Sequence, residues 1–310
     1  MPSALGGVFG SSKMLYGAMR DMRDGDRQPL LLCGRKEQLD ALMEALGGSP
    51  GAVPDAAAQL FAVRRLRAED PRRLARASVA VYGGTIVSGL DEETRADLEV
   101  FGRVATRKLA LLEALDLPSP GVTAAGRVRG LQPAMIVPYR RGRFPTRRVL
   151  EELADRCGGS GPWLASQLPG LRPYVIENVI ETAARRNAKA ALMIFIPGAD
   201  FPVLTAVQMR MVLAIANAHG QPITTDRAVE LLSVLGAGFG FRMMARQLLD
   251  VIPIAGWAIQ STIAYSATRA IGTAANEYFE RGAVADASRL RALAEGIKIE
   301  VEQRLRRRAG

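Results

Sequence analysis

LLLCGRKEQLDALMEALGGSP, residues 30–50, decides how the first half of the chain is read. Leu30, Leu31, Leu32 and Cys33 form an unbroken apolar run of strand length, and Gly34 closes it. Directly afterwards, Leu39, Leu42 and Met43 fall on one face of a helix over about 36–46. Gly47, Gly48, Ser49 and Pro50 stop that helix. A short buried strand that feeds an amphipathic helix is the unit from which α/β layers are built.

The alternation continues outward from this stretch. Residues 60–63 read as a second strand, and SVAVYGGTIV (78–87), β-branched and glycine-bearing, as a third. Residues 91–101 form a charged helix whose acidic start, Asp91, Glu92 and Glu93, complements the helix dipole. Residues 109–115 suit either a strand or a helix. A short strand at 134–137 precedes Pro138. The connector that follows, 139–148, carries Arg140, Arg141, Arg143, Arg147 and Arg148, and leads into a helix over about 146–156 expected to be capped by Thr146. Gly158, Gly159, Ser160, Gly161 and Pro162 read as a flexible break, and the domain boundary is placed there.

A strand that enters a helix through Gly34 is where a phosphate-binding loop would sit. Such a loop needs the pattern G-x-x-x-x-G-K-[ST]: glycines so that backbone amides can wrap the phosphates, a lysine for charge and a hydroxyl for magnesium. Counted from Gly34, those positions hold Leu39, Asp40 and Ala41. A leucine side chain would occupy the phosphate's space, and Asp40 would repel it. The look-alike Gly10, Ser11, Ser12, Lys13 has no strand before it and the wrong spacing. At the place of a guanine-reading N-K-x-D motif only Asp116 matches, and an aspartate there also suits a helix end or turn. Gly34 and Asp116 are therefore at most relic positions of a nucleotide site. No catalytic residue, cofactor or metal is expected.

Composition narrows the chemistry further. The chain has 310 residues, 48% of them hydrophobic but only 5% aromatic, so its apolar mass is mainly Ala, Leu, Val, Ile and Met, a helix-favouring mixture. A net charge of +10 permits attraction to anionic lipid, nucleic acid or an acidic partner without choosing among them. The basic stretch 64–76 lacks the interleaved aromatics that stack bases, and 139–148 has only Tyr139 and Phe144, which disfavours nucleic acid. Cys33 and Cys157 supply neither a disulfide framework nor a zinc spacing and fit a reducing compartment. The one histidine, His219, stands beside Gly220 at a helix end and reads as a cap on the helix dipole. A Ser-His-Asp or Cys-His triad is not expected. Residues 1–10 are not expected to be a secretory leader. Residues 12–24, with Met14, Leu15, Met19 and Met22, read as a short amphipathic helix that docks on its own domain or lies on a membrane surface.

From Trp163 the chain reads as helical. One helix covers 173–187. The next opens at Asp200, Phe201, Pro202 and runs to about Ala218, with Leu204, Val207, Met211, Ile215 and Ala218 in a stripe. A threonine-capped helix follows through Leu235 to glycines 236–240, and another turn or two covers 242–250. Pro253 opens a long helix to about Arg281, and a charged helix over 285–308 ends the chain. Residues 251–268 carry no charge over eighteen positions, which just reaches spanning length. They include Pro253, Gln260, Ser261, Thr262 and Ser266, however, and Arg269 follows at once. Small residues at Ala264, Thr268 and Gly272 would let helix backbones approach closely, in a membrane or in a soluble bundle. A soluble bundle or homo-oligomer core, peripheral or hairpin insertion, and a multi-span protein all remain open.

Residues 196–222 and 230–282 carry several features in order: the D-x-P start at Asp200 and Pro202, Gln208 and Met211, the glycine-rich break before Arg242, I-P-x-x-G-W at 252–257, and N-E-Y-F at 276–279. In these the chain resembles the bacterial family called domain of unknown function 697. The resemblance covers roughly the second half of the chain. In that family the helical domain often follows a Ras-like or Era-like GTPase domain, and members are regarded as membrane-associated. The resemblance thus implies an α/β plus all-α protein: a small degenerate GTPase-like α/β layer domain followed by a packed α-helical domain.

The expected organisation is an N-terminal amphipathic arm (1–28), the GTPase-like domain (29–145), a basic helix and glycine-rich linker (146–162), the helical domain (163–282) and a basic C-terminal helix (283–310). Expected contacts with a membrane or partner are Arg242, Arg246, Trp257, Arg269, Arg306, Arg307 and Arg308. The expected partner is a membrane surface or a protein, including a second copy of the chain, with nucleotide and nucleic acid disfavoured. The expected location is the cytoplasmic side of the inner membrane, peripheral or partly inserted, with the cytoplasm as the alternative. The expected activity is non-catalytic. A nucleotide-dependent switch with an unconventional site and a basic nucleic-acid binder are the competing readings.

Overall fold

The structure is a computed structural model and describes residues 27–47, 61–63, 77–87, 89–104, 106–193, 200–221 and 256–281. The chain divides into two compact units, one of Asp26–Val175 and one of Met1–Gly25 with Ile176–Gly310.

The first unit is built on five parallel strands: β1 (Leu30–Gly34), β2 (Phe61–Val63), β3 (Val79–Ile86), β4 (Arg107–Ala114) and β5 (Ile136–Arg140). Their order across the sheet is β2-β1-β3-β4-β5. The chain therefore adds β2 on one side of β1, then crosses to the other side and builds outward through β3, β4 and β5. Helices cover both faces. Leu31, Cys33, Ala80, Tyr82, Ala110 and Leu112 join one cluster with Leu98 and Phe101 of α2 (Glu92–Gly102) and Ala125 of α3 (Pro120–Ala125). The alternate residues Leu30, Leu32, Val79, Val81, Leu109 and Leu111 are equally buried. On their side lie α1 (Lys36–Ala45) and α4 (Thr146–Cys157), which touch the central strands and each other. Burial on both faces is why the strands read as apolar runs without alternation.

That double burial also settles residues 109–115: Arg107–Ala114 is a strand in full register with β3. Pro138 lies within β5, opposite Leu112. Among the described residues β5 pairs only with β4, so the missing amide of Pro138 falls on the open side of an edge strand, where it costs no ladder bond.

The stretch 146–162 is not a linker. Helix α4 buries Val149, Leu150, Leu153 and Ala154 against the sheet, residues Gly158–Ser160 form a single 3-10 turn, and α5 (Gly161–Gln167) buries Leu164 and Ala165. The amide of Gly170 donates to the carbonyl of Leu46 (3.1 Å), fastening this segment to the end of α1. Thr146 does not cap α4 either. It is the first helical residue, and Pro145 holds the cap position without a side-chain bond. A threonine already in helical conformation cannot aim its oxygen at the amides ahead of it.

The second unit contains most of α6 (Arg172–Met193), which begins in the first unit, together with α7 (Asp200–Ala218) and α8 (Gly256–Arg281). Over residues 209–218 helix α7 is buried on most sides, with Arg210 exposed. Met209, Val212, Leu213 and Ala216 are as covered as the expected stripe residues Met211, Ile215 and Ala218, while Leu204 and Val207 are half-buried. A helix this apolar has to be enclosed on most sides, and α8 packs along it. A Cβ on Gly272 would come within 2.6 Å of Ile180 Cγ1, so α8 and α6 approach as closely there as glycine allows. Among the described residues no helix is long and apolar enough to cross a membrane. The expectations for 12–24, 222–255 (with Pro253) and 285–308 lie outside the described residues.

Gly34 has φ +113, and a Cβ there would run into the carbonyl oxygen of Gly83 on β3. Gly34→Ala is expected to destabilise the protein by about 3 kcal/mol or more, from backbone strain and overpacking together. Gly142 has φ +71 but nothing within 4 Å. Gly142→Ala is expected to cost only about 1 kcal/mol. Urea denaturation of the two variants measures the difference.

Candidate functional site

In open parallel sheets, ligands sit outside the carboxyl ends of the strands, where the direction of strand addition reverses. Here that place is between β1 and β3. The amide of Arg35 donates to Gly83 O (2.8 Å), and α1 begins at the very next residue, Lys36. The connection between strand and helix is thus one residue long. No loop exists there to wrap a phosphate chain.

The space beside this turn is laced by the protein's own groups. Gln38, in the first turn of α1, is 4% exposed. Its Nε2 donates to Thr85 Oγ1 and to Glu113 Oε2, each at 3.0 Å. Glu113 Oε1 accepts the amide of Gly142 (3.1 Å). One side chain thereby ties α1 to the ends of β3 and β4, and Glu113 ties β4 to the turn after β5. Gln38 Oε1 is buried and meets no partner among the described residues. Burial pushes the Asp91 carboxyl up, but bonds from the Thr94 amide (2.7 Å) and hydroxyl (3.0 Å), with the charge of Arg35, outweigh it and hold the group below its ordinary value. Asp91 therefore works as the N-cap of α2. Asp116 is exposed beyond the end of β4, two strands away from β1, and the structure does not bring it to Gly34.

Gln38, Thr85 and Glu113 were not singled out from the sequence. The available signal was Gln38 itself, a polar residue one turn before Leu42 on the buried face of α1.

Neither thiol is set up as a nucleophile. Burial, aided by the charge of Asp97, pushes the Cys33 thiol far up, and its Sγ donates to Val81 O (3.2 Å). Burial raises Cys157 to about 12 against a smaller opposing effect of Arg107. Among the described residues no group of three or more His, Cys, Asp or Glu side chains could hold a metal ion.

A second polar constellation lies in the helical unit. Glu181 on α6 accepts Tyr265 Oη (2.6 Å) and Arg269 Nη1 (2.7 Å) from α8 at one oxygen, and Arg185 Nε (2.6 Å) at the other. Arg269 also pairs with Glu177 (2.7 Å). Further along α6, Asn187 Nδ2 donates to Thr268 Oγ1 (2.9 Å), which itself donates to Ala264 O (2.7 Å). Gln208 of α7 reaches the same hydroxyl (3.4 Å). Asn187 Oδ1 and Ser266 Oγ are buried without partners among the described residues. Thr268 and Gly272 thus face α6, and Arg269 is engaged by two glutamates of its own chain. His219 stands just after the end of α7. Its Nε2 lies 2.8 Å from Asn276 Oδ1, and its ring stacks on Phe279 at 6.0 Å. Trp257 lies in the first turn of α8. Arg242, Arg246, Arg306, Arg307 and Arg308 lie outside the described residues.

Fold and site together define a parallel α/β unit of doubly wound order joined to a helical unit, with the usual ligand crevice of such a sheet bridged by side chains. No family model, curated protein or solved structure matches the chain.

Both thiols are expected to stay silent toward a disulfide reagent in the native protein and to react once urea unfolds it, as followed by thiol titration. The Glu181 carboxyl is held below its ordinary value, chiefly by the Tyr265 hydroxyl, with burial opposing and Arg185 and Arg269 assisting. Ionised Glu181 therefore favours the folded state above the usual glutamate range, and that contribution disappears as pH falls through the lowered value. The thermal midpoint should drop on acidification from about pH 6 to about pH 3, and Tyr265→Phe should flatten that part of the curve.

Proposed function

We propose that this protein is a non-catalytic, membrane-associated or partner-binding protein whose α/β unit is a GTPase-like domain that has lost its phosphate-binding loop. The observation that carries the reading is the one-residue connection between β1 and α1. In a nucleotide-binding sheet, backbone amides of that connection hold the phosphates. Here the amide of Arg35 is spent on Gly83 O (2.8 Å), and Gln38 spans the ends of β3 and β4. The parallel sheet with its reversal at β1 supports descent from a nucleotide-binding architecture. The resemblance of 196–222 and 230–282 to the domain of unknown function 697 family supports the same pairing of domains, and α7 begins at Asp200, where the D-x-P start falls.

Attachment to an anionic surface rests on the net charge of +10 and on the exposed arginines after β5. A peripheral or partly inserted mode at the cytoplasmic face of the inner membrane fits a long helix, α8, whose mid-helix Arg269 is paired inside its own unit.

Flotation with phosphatidylglycerol-containing vesicles tests the membrane reading. The protein should rise with anionic vesicles and not with phosphatidylcholine alone, and raised salt should release it. Equal recovery with both kinds of vesicle, or with neither, would sink attachment by charge. Titration calorimetry with GTP and magnesium should give no binding heat. Saturable binding would instead favour a nucleotide-dependent switch.

A further inference from the structure

The end of β5 gathers positive charge that the fold itself does not use. Arg140, Arg141, Arg143 and Arg148 are all exposed, and none makes an ion pair or a side-chain hydrogen bond among the described residues. A fifth arginine, Arg147, pairs with Glu151 (2.7 Å). The first turn of α4, into which these residues lead, contains no acid. On the neighbouring strand β4 and just beyond it stand two acids. Glu113 has its oxygens taken by Gln38 and by the amide of Gly142, and Asp116 pairs with none of the arginines. Elsewhere along the carboxyl edge the signs mix: Arg35 and Lys36 follow β1, and Glu92 and Glu93 open α2.

The backbone keeps these arginines together. Arg143 N donates to Arg140 O (2.9 Å), and Gly142, at the third position of that turn, has φ +71, as a type II turn requires. Two more bonds fasten the turn: Arg141 N donates to Ala114 O (2.8 Å), and Gly142 N to Glu113 Oε1 (3.1 Å). Three arginines thus leave four consecutive residues of a fixed turn. Beside them Leu115 is 48% exposed, next in sequence to Ala114, the register partner of Arg140. Tyr139 is buried and Phe144 half-buried, and the two rings pack on each other edge to face (5.5 Å). Neither ring is free to stack a base.

We propose that this corner, Arg140, Arg141, Arg143 and Arg148 with Leu115, is the surface by which the α/β unit lies on an anionic phospholipid bilayer. The guanidinium groups take lipid phosphates, which suit their paired N–H donors, and Leu115 enters the interface, where an aliphatic side chain is accommodated. Unpaired arginines with an exposed leucine and no stackable ring fit lipid better than nucleic acid. The proposal rests on the membrane reading above and deepens it by placing phosphate contact at the turn after β5, three strands away from the end of β1.

Flotation of the full chain with vesicles of phosphatidylglycerol in phosphatidylcholine is the test. The variant Arg140→Gln, Arg141→Gln, Arg143→Gln should lose at least about thirtyfold in partitioning. Arg103→Gln, Arg127→Gln, Arg129→Gln removes the same charge from exposed positions in the connections that lead into β4 and β5, and should lose less than about threefold. Both should keep the wild-type circular dichroism spectrum. Because Cys33 and Cys157 are buried, Leu115→Cys takes a polarity-sensitive dye at one place. Its emission should shift to the blue on anionic vesicles, while the same dye on Arg129→Cys should not shift. Equal losses from the two triple variants, a turn variant that partitions like the wild type, or a dye at position 115 that stays in water on bound protein would overturn the proposal and leave membrane attachment standing. A wild type that ignores anionic vesicles would overturn both, and capture of duplex DNA instead, through the same three arginines, would put nucleic acid in the place of lipid.

Discussion

The close approach of the end of β1 to β3 is the contact on which the α/β unit depends. Gly34 takes a left-handed backbone against the carbonyl of Gly83, and Arg35 donates its amide to that same carbonyl. A side chain at either glycine would separate the strands or displace α1, since a Cβ on Gly83 would press on Gln38 Cβ at 2.8 Å. With the turn so tight, α1 starts at once and its first turn lies over the strand ends. Gln38 is then within reach of Thr85 and Glu113. The local contact that orders the sheet is also the one that closes the crevice.

A parallel sheet of this order has a place for a ligand built into its topology. In this protein an amide–carboxylate–hydroxyl network occupies that place. Gln38 makes the network one-sided: its Nε2 has two acceptors, while its buried oxygen has none among the described residues. The carboxylate of Glu113 fixes that orientation, because turning the amide over would set oxygen against oxygen.

The helical unit solves a different problem. The face that α8 turns toward α6 carries the small residues Thr268 and Gly272, and a surface of small residues does not by itself specify one register. Polar contacts between α6 and α8 supply the specificity. Glu181 gathers Tyr265, Arg185 and Arg269, and Asn187 meets Thr268 about a turn and a half further along. Gly272 against Ile180 brings the two helices close enough for these bonds to form. The Asn187–Thr268 bond is buried, and a buried polar contact pins alignment more than it adds stability. Tyr265 and Arg269 therefore act in the second unit much as Gln38 acts in the first.

Much of this was legible in the sequence. The apolar run 30–34, its helix, the strand at 78–87, the Asp91 helix start, the long helices from Asp200 and through 256–281, and the absence of a phosphate-loop pattern all follow from periodicity, caps and motif spacing, which are local properties. The ambiguity at 109–115 and the placing of a linker at 146–162 have one cause. A strand buried on both faces loses its alternation, and a glycine-rich stretch reads the same whether it hangs free or packs. Only the tertiary structure decided those two. It alone could show that Gln38 meets Thr85 and Glu113, that Arg269 turns inward to Glu177 and Glu181, and that His219 reaches Asn276. Those partners lie 47 to 88 residues away along the chain in most cases. Sequence pattern carries the period of an element and the chemistry of its ends. It does not carry which distant element closes over it, because that choice is made by packing.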